Sequence, residues 1–175
     1  INAPSGRDTR PTSDRLRLAI FNMLDSRVDF EDINAADLFA GTGALGIEAI
    51  SRGAKRCDFW DLDKKAMSVI RDNLHSLDVP DTAYKTHLGN ILRIGNRAGH
   101  APQYNLVFID PPYRKDLVVP SLSALQNGAW FAPEALIVIE TERGGQDSLK
   151  DISYIESLRI KSYGDTELGL YHYTK

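Results

Sequence analysis

The sequence holds one cysteine, Cys57, among its 175 residues, and it contains no long apolar run. A single cysteine excludes a disulfide within the chain and is typical of proteins kept in a reducing compartment. A membrane-spanning helix needs roughly 20 predominantly apolar residues in a row, and no segment approaches that length. Residues 1–10 are polar and lack the apolar core of a signal peptide. These absences predict a cytoplasmic protein without a membrane span.

Metal-ligand patterns and an excess of positive charge are missing as well. The four histidines are scattered without the spacing of metal ligands, so we predict no metal site. The formal net charge is −3, which is unfavourable for nucleic-acid binding because phosphate contacts need lysine and arginine. The N-terminal segment nevertheless collects Arg7, Arg10, Arg15, Arg17 and Arg27. Judged by charge alone, this segment is as compatible with a solvated helix face as with a small RNA-binding patch.

Short apolar segments alternate with amphipathic segments along most of the chain. Runs that are apolar on both faces are typical of strands in a buried parallel sheet. The predicted strands are residues 33–39, 56–61, 83–88, 105–110 and 135–141. The predicted helices run from Thr12 or Ser13 to about residue 25, over 44–52, from about 64 to 77, around 91–98 and from about 117 to 127.

The last part of the chain changes character. Residues 152–162 and 168–173 flank Tyr-Gly-Asp-Thr-Glu at 163–167, which predicts an antiparallel β-hairpin. We therefore expect one α/β domain of Rossmann-like type over residues 1–175, with an arm and helix (1–27) before a core (33–175). Its sheet should be mostly parallel, with helices on both faces. Ligands bind such sheets outside the carboxyl ends of the strands.

A glycine-rich turn follows the first predicted strand. Gly41, Gly43 and Gly46 satisfy the pattern G-x-G-x-x-G, and Asp61 follows about 20 residues later. The pattern alone fits a nucleotide-type cofactor or a plain tight turn between strand and helix. Asp37, four residues before the first glycine, would repel a pyrophosphate but could receive the ammonium of an amino-acid group. S-adenosylmethionine has that group and no phosphate, which favours it as the cofactor.

Other residues at the ends of the strands complete the predicted cofactor site. Asp61 is placed to accept both ribose hydroxyls, whereas Asp63 fits better as the cap of the following helix. Asn90 could bond the adenine edge or only cap a helix, and Ile91 could pack on the ring. The predicted cofactor-binding residues are Asp37, Phe39, Gly41, Thr42, Gly43, Asp61, Leu62, Asn90 and Ile91.

The tetrapeptide Asp110-Pro111-Pro112-Tyr113 follows the fourth predicted strand and is the most informative in the chain. Two prolines end a strand stiffly, because each lacks an N–H and has a fixed φ. The carboxylate of Asp110 and the carbonyl of Pro111 would then accept hydrogen bonds from an exocyclic base amine. Asp110 would also accept the proton that the amine releases. Tyr113 would stack on the base. We predict these four residues to be catalytic.

These motifs resemble those of amino-directed nucleic-acid methyltransferases. More narrowly, Arg-Pro-Thr-Ser-Asp-Arg-Leu-Arg at 10–17, Asp-Leu-Phe-Ala-Gly-Thr-Gly-Ala-Leu-Gly at 37–46 and Asp-Pro-Pro-Tyr at 110–113 are similar to signatures of the bacterial small-subunit (16S) rRNA guanine-N2 methyltransferases. The resemblance covers nearly the whole chain. It implies a monomeric class I methyltransferase with a seven-stranded sheet and a substrate that is 16S rRNA or the assembling small subunit.

The same resemblance implies that Arg10, Thr12, Arg15 and Arg17 border the cofactor's methionine end and the RNA. Leu18 departs from the family, which usually has an acid there. The family also carries an N-terminal β-hairpin, of which only part is expected in this chain. Three other functions stay open: methylation of adenine N6 or cytosine N4 in RNA or DNA, nicotinamide-dependent oxidation, and RNA binding without catalysis.

Overall fold

The computed structural model describes residues 14–113 and 115–175. The helices in this part of the chain are α1 (Asp14–Leu24), α2 (Ala44–Ser51), α3 (Lys64–Ser76) and α4 (Val118–Asn127). Its strands are β1 (Asn34–Leu38), β2 (Arg56–Asp61), β3 (Tyr84–Leu88), β4 (Tyr104–Ile109), β5 (Phe131–Glu142), β6 (Ile155–Tyr163) and β7 (Thr166–Tyr173). No helix within the described residues combines the length and the apolar character that a membrane span requires.

All seven strands form one sheet in the order β3-β2-β1-β4-β5-β7-β6. Strands β1 to β5 are parallel to one another, whereas β7 pairs antiparallel with both β5 and β6. The predicted mostly parallel sheet with a terminal hairpin is thereby confirmed. Since β1 lies between β2 and β4, the strand order reverses beside β1, and this reversal is where such sheets open a crevice for a ligand.

The central strands are buried because helices cover both faces of the sheet. One apolar core contains Phe21 of α1 together with Phe59 and Phe108 of the sheet, and the other contains Leu122 of α4 packed against Val107. Tyr104–Ile109 has every residue but Asn105 buried, as its predicted two-faced apolar character requires. The prediction of helices on both faces is confirmed.

Several details of the predicted helices and strands were wrong. The predicted helix around residues 91–98 is only a 3₁₀ turn over Ile91–Arg93, because Gly95 takes a left-handed φ of 69° that interrupts a helix. Strand β5 begins at Phe131, four residues earlier than predicted, and a register irregularity opposite Tyr104/Leu106 accompanies this extension. The hairpin turn is also shorter than predicted, since β6 reaches Tyr163 and β7 begins at Thr166.

Candidate active site

The turn between β1 and α2 is held in an unusual backbone conformation. Phe39, Gly41 and Gly43 all have left-handed φ angles, of 59°, 54° and 76°. A non-glycine residue in that region costs of order 1–3 kcal/mol, and such residues cluster at ligand sites. The N–H of Gly43 closes the turn by donating to the carbonyl of Ala40 at 2.7 Å. Strain at Phe39 is therefore consistent with a ligand-binding turn.

The three glycines of the turn serve different purposes. A Cβ on Gly46 would lie 2.4 Å from Phe59 Cε1 and 2.6 Å from Cys57 Sγ, so this glycine lets α2 pack closely on β2. A Cβ on Gly43 would lie 3.1 Å from Ile70 Cγ1, again inside the protein. At Gly41 the nearest atom would be the Phe39 carbonyl oxygen at 3.9 Å. Gly41 is thus the glycine whose surface is open to a ligand.

Asp37 lies beneath this turn. Its side chain accepts a hydrogen bond of 2.8 Å from the backbone N–H of Gly46, and the residue is 2% exposed. Burial raises the pKa of Asp37 to about 7, with a smaller contribution from the nearby charge of Asp61, while the Gly46 hydrogen bond lowers it. The carboxyl group is hydrogen-bonded to the first turn of α2. It therefore acts as a support of the turn, and its predicted contact with a ligand ammonium stays a prediction.

Asp61 ties together the three loops that follow β1, β2 and β3. Its carboxylate accepts hydrogen bonds from the N–H of Gly41 at 2.9 Å and of Asp63 at 2.8 Å. Its carbonyl accepts from the N–H of Gly89 at 2.9 Å. A carboxylate has about four acceptor positions, so two remain for ribose hydroxyls. Leu62 beside it is 66% exposed, as expected of a residue at the rim of a cleft.

The remaining predicted cofactor residues divide between capping and packing roles. Asp63 caps α3 by accepting from the N–H of Lys65, which confirms that expectation. Asn90 accepts from the N–H of Leu92 at 3.0 Å and so caps the 3₁₀ turn, while Ile91 is buried. The carbonyl of Thr42 accepts a 3.1 Å hydrogen bond from the side chain of Asn73.

Asn73 fits the family resemblance but was not among the predicted site residues. It belongs to α3, is 1% exposed and joins that helix to the glycine turn. An amide side chain on the buried face of an amphipathic helix is the available sequence signal, since a buried polar group needs a partner. The partner itself, 31 residues away, has no signal in the local sequence.

The predicted catalytic tetrapeptide begins directly after β4. Leu38 at the end of β1 pairs with Ile109 at the end of β4, so the glycine turn and the Asp110–Tyr113 segment leave the sheet side by side at one edge. Asp110 is partly exposed there, Pro111 is buried and Pro112 is exposed. Two motifs that are about 65 residues apart in the sequence thus border the same crevice.

Tyr113 is anchored through its hydroxyl group. The hydroxyl donates to Glu140 Oε1 at 3.1 Å and lies 2.8 Å from Thr166 Oγ1, which connects the tetrapeptide to β5 and β7. Glu140 and Thr166 are each 6% exposed. Burial and the neighbouring carboxylates Glu140 and Asp110 raise the pKa of Tyr113. The bonds to the hydroxyl fix the position of the ring, and its stacking on a base stays a prediction.

The N-terminal residues predicted to border the cofactor and the RNA are only partly described. Arg10 and Thr12 lie outside the described residues. Arg17 forms ion pairs with Asp14 at 2.9 Å and Glu48 at 3.8 Å, so its charge is used between α1 and α2. Arg15 is exposed. Within residues 14–113 and 115–175 no group of three or more His, Cys, Asp or Glu side chains is arranged to hold a metal ion.

The sheet order and the two motifs at its carboxyl edge define a class I methyltransferase fold, and solved structures show the same architecture. The yhhF protein of Escherichia coli matches with a TM-score of 0.82 and 28% identity, over 98% of this chain and 91% of that one. TrmN of Thermus thermophilus matches with a TM-score of 0.69 at 16% identity, over 90% of this chain and 48% of that one. The second likeness shows the fold alone.

Sequence relatives then identify the family. The family described as "Conserved hypothetical protein 95" matches residues 1–172. Ribosomal RNA small subunit methyltransferase D of Escherichia coli is 34% identical over 142 residues, which are 81% of this chain and 69% of that protein. YlbH of Bacillus subtilis is 31% identical over 173 residues, covering 98% and 91%. The chain belongs to this family of small-subunit ribosomal RNA methyltransferases.

Proposed function

We propose that this protein transfers the methyl group of S-adenosylmethionine to the exocyclic N2 amine of a guanine in 16S ribosomal RNA. The observation that carries the proposal is the pairing of Leu38 with Ile109, which brings the glycine turn and the Asp-Pro-Pro-Tyr segment to one crevice. The names of the relatives support a ribosomal RNA substrate from the small subunit.

The described residues fit S-adenosylmethionine better than a dinucleotide. A pyrophosphate binds at the free N-terminus of a helix, but the carboxyl group of Asp37 already accepts the N–H of Gly46 in the first turn of α2. Asp61 and the open surface of Gly41 suit a ribose, and Ile91 and Asn90 suit an adenine. When bound, the cofactor supplies an electrophilic methyl group on a sulfonium.

The residues after β4 would prepare the amine for attack. A base NH₂ is a poor nucleophile, because its lone pair is delocalised into the ring. The Asp110 carboxylate and the Pro111 carbonyl would accept its two hydrogens and stabilise the positive charge that grows on nitrogen. Asp110 would then accept the released proton directly or through water. Tyr113, whose hydroxyl is fixed by Glu140 and Thr166, would offer its ring to the base.

Three further features belong to the same proposal. The protein works in the cytoplasm as a monomer, it needs no metal, and residues 1–175 act as one methyltransferase domain. Arg10 and Thr12 at the N-terminus, with Arg15 and Arg17, border the RNA and the methionine end of the cofactor. The substrate is free 16S rRNA or the assembling small subunit.

Product analysis tests this function. The protein is incubated with labelled S-adenosylmethionine and either unmodified 16S rRNA or small subunits reconstituted from it, and the digested nucleosides are identified by mass. We expect N2-methylguanosine, and far less of it in the same time with the Asp110→Asn variant. N6-methyladenosine or N4-methylcytidine as the sole product would reject the guanine assignment, while labelling of neither RNA substrate would reject the proposed function.

A further inference from the structure

A groove runs between helix α1 and the edge strand β6. Its walls include Arg15, Leu18 and Asn22 of α1 and Arg159, Lys161 and Tyr163 of β6. We refer to these six residues as the α1–β6 groove. On β6 the three side chains alternate with residues of the other face, so they follow one another at about 6.8 Å along the strand.

The charge of the groove is the opposite of that of the whole chain. Arg15, Arg159 and Lys161 line it, and no acidic residue is found among its described lining residues, although the chain carries a net charge of −3. None of the three cations forms an ion pair with another residue of the described part of the chain. Three converging cations without counter-charges fit a polyanionic ligand.

Protection of a sheet edge explains only half of this arrangement. Charged residues on an edge strand discourage pairing with another chain, and Arg159 and Lys161 could serve that purpose alone. Arg15, however, belongs to a helix and faces the same space from the opposite wall. An edge-protecting role requires no cation on the helix, whereas a phosphate-binding groove accounts for cations on both walls.

One end of the groove reaches the predicted catalytic residues. Tyr163, the last residue of β6, pairs with Thr166 at the start of β7. The Thr166 hydroxyl lies 2.8 Å from the Tyr113 hydroxyl. A strand of nucleic acid whose target base sits beside Tyr113 could therefore continue along the groove, over Lys161 and Arg159.

We propose that the α1–β6 groove binds the phosphate backbone of the substrate RNA next to the methylated nucleotide. Arg15, Arg159 and Lys161 contact phosphates, and the 57% exposed Leu18 packs on a sugar or base. This inference rests on the proposed function, because the RNA is the substrate of that site. It adds the C-terminal hairpin to the RNA-binding surface, which the N-terminal arginines were expected to supply.

A double variant of the edge strand gives the sharpest test. Arg159→Ala with Lys161→Ala removes two cations at exposed positions, so folding is expected to be unaffected. The matched control, Lys55→Ala with Lys85→Ala, removes two exposed lysines, one of them on the opposite edge strand β3. A third variant, Arg15→Ala, tests the helix wall separately. Each is measured for melting temperature, S-adenosylhomocysteine affinity, and affinity for unmodified 16S rRNA at several salt concentrations.

We expect the groove double variant to bind RNA about tenfold more weakly at low salt and to lower the slope of log affinity against log salt by about 1.5 to 2, since each phosphate contact contributes about 0.7 to 0.9. The KM for RNA should rise by the same factor while kcat at saturation stays within about twofold. Arg15→Ala should lower the slope by about 1. In the groove double variant and in the control variant, melting temperature and cofactor affinity should be unchanged, and the control should bind RNA as the unaltered protein does.

Equal RNA affinity and equal salt slope in the groove and control variants would overturn the inference. So would a lower melting temperature or a changed oligomeric state with unchanged RNA binding, because the groove would then hold residues 1–13 or a second copy. If the unaltered protein fails to methylate RNA, the proposed function fails. If it methylates RNA and the variants behave like the control, only the groove inference fails.

Discussion

The two halves of the candidate site are held in different ways. On the cofactor side, backbone N–H groups and carboxyl groups link the loops after β1, β2 and β3, through Asp37, Asp61 and Gly89. On the acceptor side, the segment after β4 relies on a proline pair and on the Tyr113 hydroxyl. The cofactor side is therefore fixed mainly by carboxyl groups that accept hydrogen bonds from main-chain N–H groups, whereas on the acceptor side the Tyr113 hydroxyl bonds to other side chains. Substitutions should separate binding from turnover accordingly.

The largest effect is expected from Asp110→Asn. The amide keeps the shape of the carboxylate but cannot accept a proton, so turnover should fall by about 10²–10⁴-fold. Cofactor affinity should stay within about twofold, because the cofactor contacts lie on the other half. Single-turnover methylation and calorimetric titration with S-adenosylhomocysteine measure the two quantities. A variant that loses cofactor binding as strongly as turnover would show that the two halves are not separate.

Asp61→Ala should produce the opposite pattern. Loss of a charged hydrogen bond to the ribose should weaken cofactor binding by roughly 1.5–3 kcal/mol. The same change leaves the N–H groups of Gly41 and Asp63 without this acceptor. Asp61→Asn retains one acceptor oxygen, so its cofactor affinity should lie between those of the unaltered protein and the alanine variant. Titration with S-adenosylhomocysteine checks the order. Unchanged affinity in the alanine variant would contradict the assignment of Asp61.

Tyr113 allows the ring and the hydroxyl to be separated. Tyr113→Ala removes both and should lower turnover strongly while leaving cofactor binding nearly unchanged. Tyr113→Phe keeps the ring and removes the bonds to Glu140 and Thr166, so it should cost about 0.5–1.5 kcal/mol of unfolding free energy and retain most turnover. Methyl-transfer rates and urea unfolding provide the comparison. Normal turnover in the alanine variant would end the stacking proposal.

The last prediction concerns the pH dependence of stability. The pKa of Asp37 is raised to about 7 by burial, so the folded state binds a proton between about pH 4 and 7 that the unfolded state releases. The free energy of unfolding should then decrease as the pH rises through this window, by at most about 1.4 kcal/mol per pH unit. Asp37→Asn keeps an acceptor for Gly46 and should remove this component. If the free energy of unfolding changed with pH by the same amount in both proteins between pH 4 and 7, this prediction would be wrong.

The sequence predicted the parts of the molecule that depend on local pattern. The apolar run of β4 and the glycine turn led directly to the sheet and to its crevice, and the acid-proline-proline-tyrosine segment led to the acceptor side. The position of Asp63 before α3 likewise predicted its capping role, which the hydrogen bond to Lys65 confirms. These features arise from residues within a few positions of each other.

Features that depend on distant contacts could not be predicted. The bonds from Tyr113 to Glu140 and Thr166 join residues 27 and 53 positions apart. The α1–β6 groove brings Arg15 beside Arg159, a proximity that only the packing of α1 on the sheet creates. The failed helix around residues 91–98 shows the reverse case, since apolar spacing predicted a helix that Gly95 interrupts.

The most direct test is a crystal structure of the protein with S-adenosylhomocysteine. We expect the ribose hydroxyls on the Asp61 carboxylate, the adenine beside Ile91, and the sulfur facing the gap between the glycine turn and Asp110. A ligand bound elsewhere, or with its sulfur directed away from Asp110, would contradict the claim that the two motifs share one methyl-transfer site.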